Sequence, residues 1–111
     1  MRFIEPPIFE EKPDNISIGL GQNHVLTCRA TSSYTIPRIL WYRIHSVESS
    51  STSQVDASIE DSKRKHIQSG EKLYLNDLKL DDAGLYECVA DANNNLFISQ
   101  RFTVTINGLF C

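Results

Sequence analysis

Asp82-Ala83-Gly84-Leu85-Tyr86-Glu87-Cys88 is the stretch that decides the fold. Alternation along it carries Tyr86, Cys88 and Ala90 to one face of a strand. Asp81-Asp82-Ala83-Gly84 reads as the corner through which that strand is entered. Just upstream, Leu73, Leu75 and Leu78 supply an inward apolar series. Further back, Cys28 opens an interval that Cys88 closes, with Trp41 inside it.

Outward from that corner, short alternating segments separated by turn residues fill the chain, and no long segment keeps a helical period. An all-β fold is expected. Ile8 and Phe9 follow Pro6-Pro7 as an edge strand, where a lost ladder donor is tolerable. Pro13-Asp14-Asn15 breaks it, Ile16 to Leu20 resumes it, and Gly19-Leu20-Gly21-Gln22 turns the chain toward Val25, Leu26, Thr27 and Cys28. His24 shares the inward face with Leu26, so its ring is expected at the rim, half wet. After Pro37 the strand Arg38 to Arg43 points Ile39 and Trp41 inward. Ser46 to Asp61 is serine-rich and acidic, with little apolar surface to offset chain entropy, and reads as a mobile connection with a weak strand at Val55 to Ile59. Asn93-Asn94-Asn95 is a turn signal. Phe102, Val104 and Ile106 make the last strand. The expected organisation is a linker over 1–6, one domain over 7–107 and a tail over 108–111.

The chain has 111 residues, 41% of them hydrophobic and 23% charged, which suits one ordinary globular core. A net charge of -3 and a pI near 5.5 favour neither nucleic acid nor an anionic membrane. No stretch is apolar enough to span a bilayer, and Met1 to Pro7 lacks a signal-peptide core. The chain therefore reads either as cytosolic or as a domain cut from a longer secreted or single-pass membrane protein.

No catalytic constellation stands out: there is no phosphate-cradling glycine loop, no His-Glu-x-x-His, no close cysteine pair and no serine elbow. Neither enzyme activity, a cofactor nor a metal site is expected. Asp82 is expected to pair with a base of the Lys63-Arg64-Lys65 segment, Arg64 first, because arginine offers a carboxylate two parallel donors. The run Lys63-Arg64-Lys65-His66 also reads either as a solvated loop or as a short patch for heparan sulfate. Asn15-Ile16-Ser17 is an N-glycosylation sequon.

Cys28, Trp41 and Leu73-x-Leu75-x-x-Leu78-x-x-x-Asp82-x-Gly84-x-Tyr86-x-Cys88 resemble the I-set branch of the immunoglobulin superfamily. That resemblance implies an immunoglobulin-like antiparallel β-sandwich with a Cys28–Cys88 bridge between the sheets, Trp41 packed on the bridge and the Tyr86 hydroxyl tied back to upstream backbone. The bridge implies an oxidising compartment and leaves Cys111 unpaired, either because its partner lies elsewhere in a longer protein, because the sequence merely ends there, or because it forms an intermolecular disulfide.

A narrower likeness joins Arg2, Pro7-Ile8, the Asn15 sequon, Pro37-x-Ile39-x-Trp41, His45 and Asp82-Ala83-Gly84. Together they resemble the third, membrane-proximal immunoglobulin-like domain of fibroblast growth factor receptors. What it implies is a growth-factor contact through Arg2, through Asn93, Asn94 and Asn95, and through Lys63 and Arg64. Interleukin-1 receptor ectodomains, with a cytokine as ligand, are a neighbouring likeness. The leading expectation is thus a noncatalytic, extracellular recognition module of a cell-surface receptor, flanked by other immunoglobulin domains. The alternatives are a titin-like structural spacer and a homophilic adhesion module.

Overall fold

The computed structural model describes residues 5–45, 64–93 and 96–108. Among these residues nine strands follow in order: β1 (Ile8–Glu11), β2 (Ile16–Gly19), β3 (His24–Thr27), β4 (Arg29–Thr31), β5 (Arg38–Ile44), β6 (Arg64–Ser69), β7 (Lys72–Leu75), β8 (Gly84–Asp91) and β9 (Phe97–Asn107). The stretch Ser46 to Asp61, with its weak strand, lies outside the described residues.

The strands form two layers. One is a five-stranded sheet in the order β2-β9-β8-β5-β6. The other consists of the β1–β4 and β3–β7 ladders, which continue into each other around Cys28, whose N–H reaches the Glu71 carbonyl at 2.8 Å. All pairings are antiparallel except β2 with β9, which is parallel. This departs from a purely antiparallel sandwich, and its cause is local. Pro13 ends β1 in one layer, is itself buried, and lets the chain cross to the other before β2 begins.

Alternation fills the space between the layers as the sequence predicts. Ile39 and Trp41 from β5, Tyr86, Cys88 and Ala90 from β8, and Phe102, Val104 and Ile106 from β9 face Leu26, Leu73, Leu75 and Leu78. Cys28 and Cys88 are bonded across the layers and fully buried. Trp41 is fully buried as well; its indole N–H donates to the Gly70 carbonyl at 2.7 Å and its ring meets Phe102 edge-on. Burying an indole of that size contributes several kcal/mol only because its one donor finds an acceptor. His24 sits half-buried at the start of β3.

The corner before β8 is a 3-10 turn, Leu80–Asp82, capped by the Asp82 carboxylate, which accepts the Lys79 N–H at 2.8 Å. The expected Asp82–Arg64 pair does not form. Asp82 spends its carboxylate on the turn, and Arg64 leaves β6 on the opposite side of the sheet, where it bonds Glu87 at 2.8 Å. Arg43 holds the corner instead, donating from Nη2 to the carbonyls of Asp81 at 3.0 Å and Ala83 at 2.9 Å, with its guanidinium 4.9 Å from the Tyr86 ring centre. A side chain on Gly84 would come within 3.0 Å of that nitrogen, and the backbone there has φ +149, so only glycine fits.

Candidate recognition surface

The even-numbered residues of β5 and the odd-numbered residues of β8 and β9 turn away from the core onto the outer face of the five-stranded sheet. Register sets them in rows: Arg38 by Asp91 and Phe97, Leu40 by Val89 and Ser99, Tyr42 by Glu87 and Arg101, Ile44 by Leu85 and Thr103. On the other side of β5, His66 pairs with Tyr42 and Arg64 with Ile44.

The centre of this face is built around a carboxylate. Glu87 is 4% exposed although its side chain points out of the sandwich. Arg64 covers it from one side at 2.8 Å and Arg101 approaches from the other at 3.5 Å. The Arg64 guanidinium also lies 4.6 Å from the centre of the Tyr42 ring, and the His66 ring packs obliquely against the same tyrosine at 5.5 Å. His66 is further held by Ser69 Oγ at 3.0 Å. An ionised carboxylate so far from water is tolerable only because two guanidiniums neutralise it. In turn it fixes both of them, and the tyrosine between Arg64 and His66, in place. At the edge of the face, Arg38 and Asp91 form a further pair at 3.0 Å.

Chemically this face presents aromatic and guanidinium groups fixed around one carboxylate. Among the described residues no group of three or more His, Cys, Asp or Glu side chains could hold a metal ion. Tyrosine and arginine on a rigid sheet, with the aliphatic Leu40, Leu85 and Ile44 half-buried around them, are the residue types that concentrate binding energy at protein interfaces.

Of the residues expected to contact a ligand, only Asn93 and Arg64 fall among the described residues, and they stand apart. Arg2, Lys63, Asn94 and Asn95 lie outside the described residues, as does Cys111. Asn93 is exposed in the turn after β8, with φ 77 and its N–H on Asp91 Oδ1 at 2.8 Å. Arg64 stands at the opposite end of the sheet, level with Leu85. Nor do the described members of the basic run share a face. Arg64 and His66 flank Tyr42, while Lys65 lines a cavity between the layers with Ile67, Leu73, Leu75 and Tyr86. Glu87 escaped sequence reading because alternation alone makes it a solvated residue. Strand register is what brings Arg101 opposite it and Arg64 within reach.

Residues 6–91 match the sequence model of the immunoglobulin domain, and the chain belongs to that family, which is generally noncatalytic. It is 29% identical over 102 residues to the Xenopus laevis protein named cell adhesion molecule-related/down-regulated by oncogenes, a match covering 91% of this chain and 7% of that protein. It is 32% identical over 104 residues to human hemicentin-1 (94% and 2%) and 32% identical over 99 residues to rat neogenin (89% and 6%). The chain thus spans only a small part of each of these relatives. Among solved structures, it overlays on the complex of Dpr2 Ig1-Ig2 with DIP-Theta Ig1-Ig3 with a TM-score of 0.67 at 20% identity, covering 94% of this chain and 33% of that one. On the titin M10–obscurin-like 1 immunoglobulin complex the TM-score is 0.60 at 22% identity, with 96% and 98% covered. At such identities these likenesses speak for the fold alone. The narrower likeness to fibroblast growth factor receptors finds no support in these relatives.

Proposed function

We propose that this chain is an extracellular recognition module of a larger adhesion or receptor protein, and that it binds a partner immunoglobulin domain through the outer face of its five-stranded sheet. The observation that carries this reading is the buried Glu87, which holds Tyr42, Arg64 and Arg101 ready to dock before any partner arrives. Pre-ordering such side chains removes part of the entropic cost of association. The inter-layer disulfide supports an oxidising location. Further support comes from a relative named for cell adhesion, and from structural neighbours solved as complexes of one immunoglobulin domain with another. A growth-factor ligand would draw on Asn93 and Arg64, which stand at opposite ends of the sheet. That separation favours a domain-sized partner lying flat across the face.

The test is surface plasmon resonance of the full chain against a panel of immunoglobulin ectodomains and a panel of growth factors. Binding to an immunoglobulin ectodomain, weakened roughly thirtyfold by Tyr42→Ala as expected for a hot-spot residue, supports the reading. Binding only to a growth factor, or binding indifferent to Tyr42→Ala, overturns it.

A further inference from the structure

The last strand is long and its outer neighbour is short. β9 runs for 11 residues, yet β2 pairs only with Val104 to Asn107. The Thr103 N–H turns toward this edge, where it meets Asn15 Oδ1 at 2.8 Å, and the Asn107 carbonyl does the same with the Leu20 N–H at 3.0 Å. In an extended strand alternate residues share that direction, so Phe97, Ser99 and Arg101 also aim their main-chain groups outward. Among the described residues the Arg101 carbonyl accepts only the neighbouring Gln100 side-chain amide on this edge, at 3.2 Å. Among the described residues no hydrogen bond reaches the main chain of Phe97 or Ser99 on this edge. Because β1 belongs to the other layer, a groove of about 500 Å³ opens alongside, lined by Pro7, Phe9, Lys12, Ile98 and Gln100 among others.

Exposed edges are normally blunted by proline, a bulge or an inward charge. Phe97 to Arg101 contains no proline, and its register with β8 is unbroken.

We propose that this edge pairs with the same edge of a second copy of the chain, antiparallel about a twofold axis at Ser99, so that two five-stranded sheets become continuous. The sequence of the edge is self-complementary in that arrangement. Phe97, 58% exposed, falls opposite Arg101 of the other copy, whose side chain is 52% exposed, and a guanidinium against an aromatic ring is attractive. Serine, the small residue, meets itself at the axis. Ile98 and Gln100 lie on the groove side, where the second strand covers apolar surface beside Phe9. Isologous contacts of this kind close on themselves as dimers. The proposal rests on the main-chain groups of the sheet edge and does not require recognition by its face, although Arg101 belongs to both.

Sedimentation velocity over a wide concentration range tests it, using the full 111-residue chain with Cys111→Ser to exclude an intermolecular disulfide. A concentration-dependent dimer is expected. Ser99→Pro removes an outward N–H without breaking a bond to β8 and should leave a monomer with an unchanged circular dichroism spectrum. Phe97→Glu sets a carboxylate against Arg101 of the other copy and should keep the dimer, whereas Phe97→Arg should weaken it at least tenfold. A monomer at every concentration, a Ser99→Pro variant that still dimerises, or equal effects of Phe97→Glu and Phe97→Arg would each overturn the proposal.

Discussion

The Tyr86 hydroxyl donates to the main-chain carbonyl of Asp82 at 2.6 Å, while the carboxylate of the same aspartate caps the turn that presents that carbonyl. One residue thus serves the corner twice, with its side chain holding the turn and its backbone anchoring the strand that follows. The tyrosine ring is covered on its other side by Phe102, stacked at 5.7 Å, and by the Arg43 guanidinium.

This arrangement makes the corner sensitive to alkali. Burial pushes the Tyr86 hydroxyl above its usual value, Arg43 opposes that shift, and Asp82 adds to it. Since the folded state holds the proton more tightly, the unfolded chain ionises first. The contribution is complete below the ordinary tyrosine value near 10 and is lost as pH rises through the higher folded value. Tyr86→Phe should cost about 1 kcal/mol at neutral pH through the lost hydrogen bond. Urea denaturation at a series of pH values should show a shallower alkaline decline in the variant than in the wild type; identical slopes would refute the assignment.

Glu87 should matter more than its place in the sequence suggests. Glu87→Ala strips Arg64 and Arg101 of their shared carboxylate and is expected to destabilise by about 1.5–3 kcal/mol, the range for hydrogen bonds to charged groups. Arg64→Ala should cost less, because Arg101 still answers the charge. A double-mutant cycle measures the coupling directly. Purely additive losses would mean that the two residues stabilise separately.

The Cys28–Cys88 bridge closes a loop with a sequence separation of 60. In the chain-entropy treatment its loss costs about 4 kcal/mol. Replacing both cysteines by alanine should therefore bring the denaturant midpoint down sharply. Thiol titration of the unreduced, unfolded protein should find fewer reactive groups than the three cysteines present; three would contradict the bridge.

Asn15 is exposed, and its Oδ1 is occupied by the Thr103 N–H, leaving the amide nitrogen for a glycan. Expression in animal cells should add mass that a glycan-releasing amidase removes and that Asn15→Gln abolishes. An unmodified wild type would set the sequon aside.

Much of the sandwich could be read from period alone. Leu73, Leu75, Tyr86 and Cys88 occupy the inward positions that alternation gives them, because a strand has only two faces and the core takes one. What alternation cannot supply is which strand neighbours which. The parallel union of β2 with β9 depends on the crossing at Pro13, and the choice of Arg43 over Arg64 at the corner depends on which side of the sheet each arginine leaves. The proposed recognition surface was hidden for the same reason. Tyr42, Glu87 and Arg101 are far apart in sequence and become a row only through register.

The parallel contact between β2 and β9 also sets how the domain would carry load. Once β1 has been drawn off β4, a pull applied through the chain's two ends draws the start of β2 and the end of β9 in opposite directions along the strand axis. The hydrogen bonds between them lie across that axis, so they resist together in shear instead of opening one after another. Stretching a single molecule by atomic force microscopy should give one abrupt rupture, and Ile18→Pro, which removes a donor from β2, should lower the force at which it occurs.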